Sequence, residues 1–206
     1  MLDTMWNLMK ALIDTCLRAS LQMHNILNRF RDGKGTGTDI MELNLAQENA
    51  SLDQYPLLLV FLDLRKSYGT VDRDRLIITL EGYGAGPKMC GLLKTFWECQ
   101  QVVPTQNGFH GPELTATRGT TNGELVSLTL FNVVVDNVII SWTETTVEHQ
   151  RVDHDGLGET NERCLRVFYV NNGMVSSRES DCIHQAMNVL VGLLIRHGLA
   201  ANVIKS

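Results

Sequence analysis

The sequence contains no C-x-x-C pair, no G-x-x-x-x-G-K-[ST] loop, no internal repeat and no low-complexity tract. The first absence counts against a zinc site. The five cysteines, at positions 16, 90, 99, 164 and 182, are also odd in number, which counts against a disulfide framework. Reduced thiols in an intracellular compartment, cytoplasm or nucleus, are expected instead. The missing P-loop spacing leaves Gly33 and Gly35 with Lys34 as an interhelical turn rather than a phosphate cradle. The N-terminus carries Asp3 and no basic stretch before an apolar core, so no signal peptide is expected. No long apolar run is uninterrupted: Leu125 to Ile140 is broken by Asn132, Asp136 and Asn137 and is expected to be too short to span a bilayer. A basic surplus is missing too. The formal net charge of −5 is unlike that of most nucleic-acid binders, although a local groove can be positive on an acidic protein. Basic residues gather only at Arg29, Arg31 and Lys34 and at Arg65, Lys66, Arg73 and Arg75, as solvated faces or as phosphate contacts.

What is present is ordinary globular composition, 44% hydrophobic and 20% charged, over 206 residues, enough for one sizeable core. The chain is organised around Leu57 to Arg75, LLLVFLDLRKSYGTVDRDR. Six consecutive apolar residues, Leu57 to Leu62, run into Asp63 and read as a strand buried on both faces, although periodicity alone also allows a helix. A carboxylate at the end of such a strand either caps a turn, its commoner role, or forms part of a metal-dependent phosphoryl-transfer site.

Elements follow from spacing. Met5, Leu8, Met9, Leu12, Ile13, Cys16, Leu17, Ile26, Leu27 and Phe30 predict a long amphipathic helix over 4–30. Thr38 or Asp39 caps a second helix to about Ser51, with Ile40, Leu43 and Ala46 on one face. Asp72 or Arg73 opens a helix to Glu81, and Pro87 starts another to about Gln100 whose inward face is Met89, Leu92, Leu93, Phe96 and Trp97. Asn107-Gly108 marks a hairpin within 101–117. A helix is expected over 124–147, then a polar surface connection over 147–163 in which His149 and His154 are solvated. Cys164 to Val170 and Met174 to Ser177 read as strands about an Asn171-Asn172-Gly173 turn. A helix over 181–196, with Ile183, Met187, Leu190, Leu193 and Leu194 on one stripe, ends at Gly198, and Leu199 to Ile204 reads as a last strand. The order predicts an α+β fold, a small mainly antiparallel sheet backed by helices.

Five segments in order carry a resemblance. FLDLRKSYGTVDR, from Phe61, is similar to the first palm motif of retroelement-type reverse transcriptases, F-x-D-x-x-K-A-Y-D-x-V-D-R. Arg31 to Thr38 resembles the glycine-rich finger segment before it. Arg118 to Asn132 (RGTTNGELVSLTLFN) resembles G-x-x-Q-G-x-x-x-S-P-x-L-F-N. Phe168 to Gly173 (FYVNNG) falls where the family carries F-Y-A-D-D-G, and Gly198 to Ser206 (GLAANVIKS) resembles G-L-x-x-N-x-x-K-S. The resemblance implies a polymerase palm over 57–206 and a partial, mainly helical fingers region over 1–56, with no counterpart of the earlier finger strands, the thumb or an RNase H segment.

It further implies an RNA-directed DNA polymerase by descent, with an RNA template, a DNA primer and Mg²⁺ as its partners and cofactor. Nucleotide addition is an in-line displacement helped by two divalent ions about 3.5–4 Å apart, whose mutual repulsion has to be offset by carboxylates. In the family one Asp comes from the first palm strand and two from the facing hairpin. Here Asp63 keeps the first, as metal ligand, while Asn171 and Asn172 occupy the other two catalytic positions. An Asn offers Mg²⁺ a carbonyl oxygen but no charge. Lys205 matches the lysine that protonates the leaving pyrophosphate, and reads equally well as a strand-end surface lysine. Leu64, Tyr68, Asn122 and Gly123 fall at nucleotide-contacting positions, Tyr68 under the sugar. Asn122 is one methylene shorter than the family's Gln, Glu124 replaces a Gly, Leu128 a Pro, Ser67 an Ala and Gly69 an Asp. The expectation is a fold kept and a catalysis lost. The alternative is a non-catalytic scaffold, derived from such an element, that binds nucleic acid or protein.

Overall fold

The computed structural model describes residues 2–21, 36–65, 67–120, 125–152, 166–169 and 172–202. The chain divides into two compact units. One is Met1–Met23 with Tyr68–Val133, the other His24–Ser67 with Val134–Ser206.

The first unit is built on helices. Helix α1 (Leu2–Ser20) ends well before Phe30, and residues 22–35 lie outside the described ones. Its inward face is also not the expected one. Ile13, Asp14 and Leu17 are buried, whereas Met5, Leu8 and Leu12 are 70%, 60% and 58% exposed. At about 100° per residue, Met5, Leu8 and Leu12 form a stripe a quarter-turn or more from Ile13 and Leu17, so one helix carries two apolar faces and buries one. Asp14 is tolerated inside because it accepts from the Thr129 hydroxyl and pairs with the Arg18 guanidinium at 2.8 Å.

After the single turn α3 (Ser67–Thr70), helix α4 (Arg73–Gly82) starts where its cap predicts: Asp72 accepts from the amides of Asp74 and Arg75, each at 3.1 Å. Helix α5 (Pro87–Glu98) has Pro87 in its first turn. Cys90, Leu93, Phe96 and Trp97 form its buried face, whereas Leu92, expected inside, is 41% exposed and Met89 half-buried. A two-stage hairpin follows. The inner pair β3 (Thr105–Gln106) and β4 (Phe109–His110) closes on Asn107 and Gly108, with φ of 51° and 80°, as a two-residue turn with both φ positive requires. The outer pair is β2 (Gln101–Val102) with β5 (Leu114–Thr115).

The division between units falls within α6 (Leu125–Val152), which runs five residues past the expected end at 147 and so replaces the start of the expected surface connection. Its stretch Val126–Thr146 is long and apolar enough to cross a membrane by length and composition, contrary to the expectation for this segment. Most of that stretch is buried in the protein, as in a core helix. His154 lies outside the described residues.

The second unit holds a three-stranded antiparallel sheet in the order β1-β7-β6: β1 is Leu58–Asp63, β6 Arg166–Tyr169 and β7 Asn172–Ser177. The both-faces-buried expectation for β1 fails. Leu62 and Leu64 are buried, but Phe61, next to Leu62 and on the opposite face of the strand, is 58% exposed. An antiparallel sheet with β1 at the end of its strand order covers one face of that strand and leaves the other half-open. The central strand β7 is buried from Gly173 to Ser177. The expected turn also shifts. Tyr169 pairs with Asn172 and Phe168 with Gly173, so Asn172 and Gly173 belong to the strand, and residues 170 and 171 lie outside the described ones. Helix α2 (Thr36–Leu52) begins two residues before its predicted cap and exposes Ile40. Helix α7 (Ser180–Arg196) packs on β7 through Ile183, Ala186, Leu190 and Leu194, with Met187 and Leu193 half-buried, and ends at Gly198 with φ 76°. Trp142, fully buried, donates to the Ala186 carbonyl at 2.7 Å and ties α6 to α7. The expected last strand is represented among the described residues by a single bridge, Leu64 to Ala201.

Candidate functional site

The polar end of β1 is where the motifs converge within the second unit. Asp63 pairs in register with Asn172 of β7, and Asn172 with Tyr169 of β6, so one row crosses all three strands. Residues directly opposite on antiparallel strands have Cβ atoms about 4.5–5.5 Å apart. The backbone therefore brings the first palm motif and the Asn-Asn-Gly segment side by side. The closing motif joins them. Asn202 donates its backbone amide to the Asp63 carbonyl at 2.7 Å and its side-chain amide to Asp63 Oδ2 at 3.1 Å, while the Arg65 amide donates to the Ala200 carbonyl at 2.8 Å. Asn202 was not among the residues singled out from sequence, although the motif that contains it was. Leu64 was expected at the nucleotide, but its side chain is buried and only its backbone is engaged, at the bridge to Ala201. Strand alternation forces this, since Leu64 follows Asp63 and must point to the opposite face. Asn171, Asn122, Gly123 and Lys205 lie outside the described residues.

The family resemblance implies Mg²⁺ here, and the donor set does not fit a pair of divalent ions. Three neighbouring His, Cys, Asp or Glu side chains able to hold a metal occur nowhere among the described residues, and the register partner of Asp63 is a carboxamide residue. One carboxylate cannot offset the repulsion of two hard dications.

The first unit holds another cluster, in which the first motif meets the second. Tyr68, on α3, lies against Phe131 of α6 with ring centroids 4.8 Å apart, tilted by 42°. Its carbonyl accepts from the Thr120 amide at 2.7 Å, and the Val71 carbonyl accepts from the Gly119 amide at 2.8 Å. Gly119 has φ 82°, and a Cβ built on it would lie 2.7 Å from Gly69 Cα and from the Gly69 carbonyl oxygen. Only glycine lets the loop of the second motif approach the turn of the first this closely.

Arg73 secures the arrangement. Its Nε donates to the Gly119 carbonyl at 2.9 Å, Nη1 donates to the Ala116 carbonyl and Nη2 to Gln100 Oε1 at 3.0 Å, and the guanidinium lies over Trp97 at 5.3 Å. Burial holds its pKa below the usual guanidinium value. An open cleft of roughly 520 Å³ beside it, lined by Arg73, Lys94 and Arg118 and by Asp72, Asp74 and Glu98, balances charges of both signs. Gly119 was not singled out from sequence, and Arg73 reads there as a helix start and as part of a solvated or phosphate-contacting cluster, whereas its guanidinium donates to backbone carbonyls and Gln100. The signals were the lone Gly that opens the second motif and the Arg that closes V-D-R.

No protein-family model matches the sequence, and no curated protein is similar to it. Solved structures are. Telomerase from Candida albicans, in complex with a TWJ fragment of telomeric RNA, aligns with a TM-score of 0.65 at 12% identity, over 94% of this chain and 34% of that one. Telomerase from Candida tropicalis, with a TWJ fragment of telomeric RNA, gives 0.61 at 13% identity over 96% and 32%. The apo C. tropicalis enzyme truncated from its C-terminal domain gives 0.54 at 11% identity over 96% and 38%. This chain spans about a third of their length. The likeness defines a class of fold: mixed helices and small antiparallel sheets, arranged as in the matching part of these telomerases. At such identities it defines the fold alone.

Proposed function

We propose that this chain is a reverse-transcriptase domain of retroelement descent that holds nucleic acid without extending it. The observation that carries this reading is the register of Asp63 against Asn172, where the resemblance calls for a second carboxylate. Five motifs in family order support the descent, and two similar telomerases, solved with telomeric RNA, support a nucleic-acid partner. Losing one preorganised charged group at a phosphoryl-transfer site costs about 3–4 kcal/mol of transition-state stabilisation, by analogy with single oxyanion-donor deletions. Two such losses, even without additivity, lower the rate by several orders of magnitude. An intracellular location goes with this reading.

Two assays on the purified chain test it. On a primed RNA template with dNTPs and Mg²⁺ or Mn²⁺, no primer extension is expected. Incorporation that disappears in Asp63→Ala would show that the carboxamides suffice as ligands. Fluorescence anisotropy with the same labelled RNA should show binding that weakens steeply with salt, as phosphate contacts require. The net charge of −5 favours one competing reading, a protein-binding scaffold. An absence of RNA binding at low salt would decide for it.

A further inference from the structure

Of the three acidic positions that the resemblance assigns to catalysis, one alone keeps its carboxylate, and that carboxylate has a protein partner. We propose that Asp63 and Asn202 form a cation-independent latch which fastens residues 200–202 to β1. The partner is unusually complete for two residues 139 apart in sequence. Asn202 reads Asp63 twice, its backbone amide on the carbonyl at 2.7 Å and its side-chain amide on Oδ2 at 3.1 Å. The Arg65 amide on the Ala200 carbonyl and the Leu64 to Ala201 bridge extend the pairing by one residue on the same side of Asp63. The two backbone bonds together constitute that single bridge, a short pairing with little cooperativity of its own. A hydrogen bond to a carboxylate is roughly twice as strong as one to a neutral acceptor, so the side-chain bond, although longer than the two backbone bonds, adds substantially to a short pairing.

The latch also accounts for what the donor set leaves unexplained. A carboxylate that served only a pair of dications would lose its role with the other two acids. A carboxylate that also holds the closing segment keeps a role when the cation site is gone. The reading does not depend on nucleic-acid binding. It concerns how the chain itself is held.

The two roles respond oppositely to one isosteric change. Asp63→Asn removes the charge a dication needs but keeps an acceptor oxygen for Asn202. The test uses the whole purified chain, with thermal melts with and without Mn²⁺ and hydrogen exchange of the amides of residues 199–202. Asp63→Asn should melt slightly below the parent and lose only part of its exchange protection, since a neutral acceptor keeps the bond at roughly half its strength. Asp63→Ala and Asn202→Ala should each raise the exchange rate at residues 200–202 by about tenfold or more, the scale of a lost charge-assisted hydrogen bond. Asn202→Ser, with a shorter donor, should fall between, and serves if the alanine variants do not fold. Mn²⁺ should leave the parent melt unchanged, or shift parent and Asp63→Asn alike through a site elsewhere. Two results overturn the latch. One is a Mn²⁺ stabilisation of the parent that Asp63→Asn abolishes, which makes Asp63 a cation ligand. The other is unchanged exchange at 200–202 in Asp63→Ala or Asn202→Ala, which makes the side-chain bond incidental.

Discussion

The Arg73–Gly119 cluster of the first unit and the Asp63–Asn172 row of the second share the first motif, yet they meet the expectations of the resemblance differently. Around Gly119 the residues that matter are those that hold backbone against backbone: a glycine with positive φ, a guanidinium on two carbonyls and a ring pair. Around Asp63 the backbone pairing is intact while two expected acids are amides. The mechanical parts tolerate no substitute of similar size. The chemical parts tolerate one readily, because Asn fills the volume of Asp and suits a strand end or turn equally well.

The sharpest way to break that contrast is at Gly119. Gly119→Ala drives a Cβ to 2.7 Å from Gly69 backbone atoms and forces an L-residue to φ 82°. The left-handed conformation costs about 1–2 kcal/mol and overpacking against backbone about 1–3 kcal/mol more. Urea denaturation should show a total loss of about 3 kcal/mol. A loss below about 1 kcal/mol would mean that the loop of the second motif can move away from Gly69, and the mechanical account of this cluster would fail.

Arg73 comes next. Arg73→Ala strands the Gly119 and Ala116 carbonyls and uncovers Trp97, for an expected loss of about 2–3 kcal/mol, on the scale of hydrogen bonds made by a charged donor. Arg73→Lys should recover less than half of it, since an ammonium cannot span three acceptors from one plane. Full recovery by Lys would reduce the fork to a simple positive charge.

How much of this was legible follows from what each residue depends on. Asp72 and Pro87 mark helix starts through local chemistry, and Asn107-Gly108 a turn, so their structure could be read from the letters. The juxtaposition of Asp63 with the Asn-Asn segment was legible only through motif order, because no local rule pairs residues over a hundred positions apart. Burial was misread where an element has two apolar faces or an outer position. Met5, Leu8, Leu12, Leu92 and Phe61 are all apolar and all exposed, and only tertiary context selects among faces. The contacts of Arg73 and Asn202 were not legible because their partners, backbone carbonyls and the Asp63 carboxylate, are distant in the chain.

The contrast can be sharpened at the second cluster by restoring its acids. Asn171→Asp with Asn172→Asp adds two carboxylates, of which the one at 172 stands in register with Asp63, and directly opposed like charges on neighbouring strands cost up to about 1 kcal/mol. The double variant should melt a few degrees below the parent and regain that difference with Mn²⁺, by ligand linkage. A melt that Mn²⁺ raises equally in parent and variant would show that these positions do not form a common site.

The smallest effect is expected at Cys90, and it tests whether the first unit is packed as tightly as its clamp implies. Burial pushes this thiol up from its ordinary range, Glu81 pushes it further and Lys94 offsets part of the rise. A raised folded pKa means that the folded state keeps its proton at a pH where the unfolded chain has released it. The contribution to stability is thus complete below the unfolded thiol pKa and is lost as pH rises through the folded one. Denaturation midpoints should therefore decline above pH about 8.5, the ordinary thiol value, and Cys90→Ala should flatten that limb after correction for its lower baseline. Alkylation gives the independent check. Iodoacetamide needs the thiolate and access to it, so the exposed Cys16 and Cys99 should react well before Cys90, and the lag should vanish in urea. If Cys90 reacts in step with Cys99 in the native protein, the α4–α5 packing opens on the timescale of labelling, and the rigidity attributed to the Arg73 cluster does not extend to the helices that carry it.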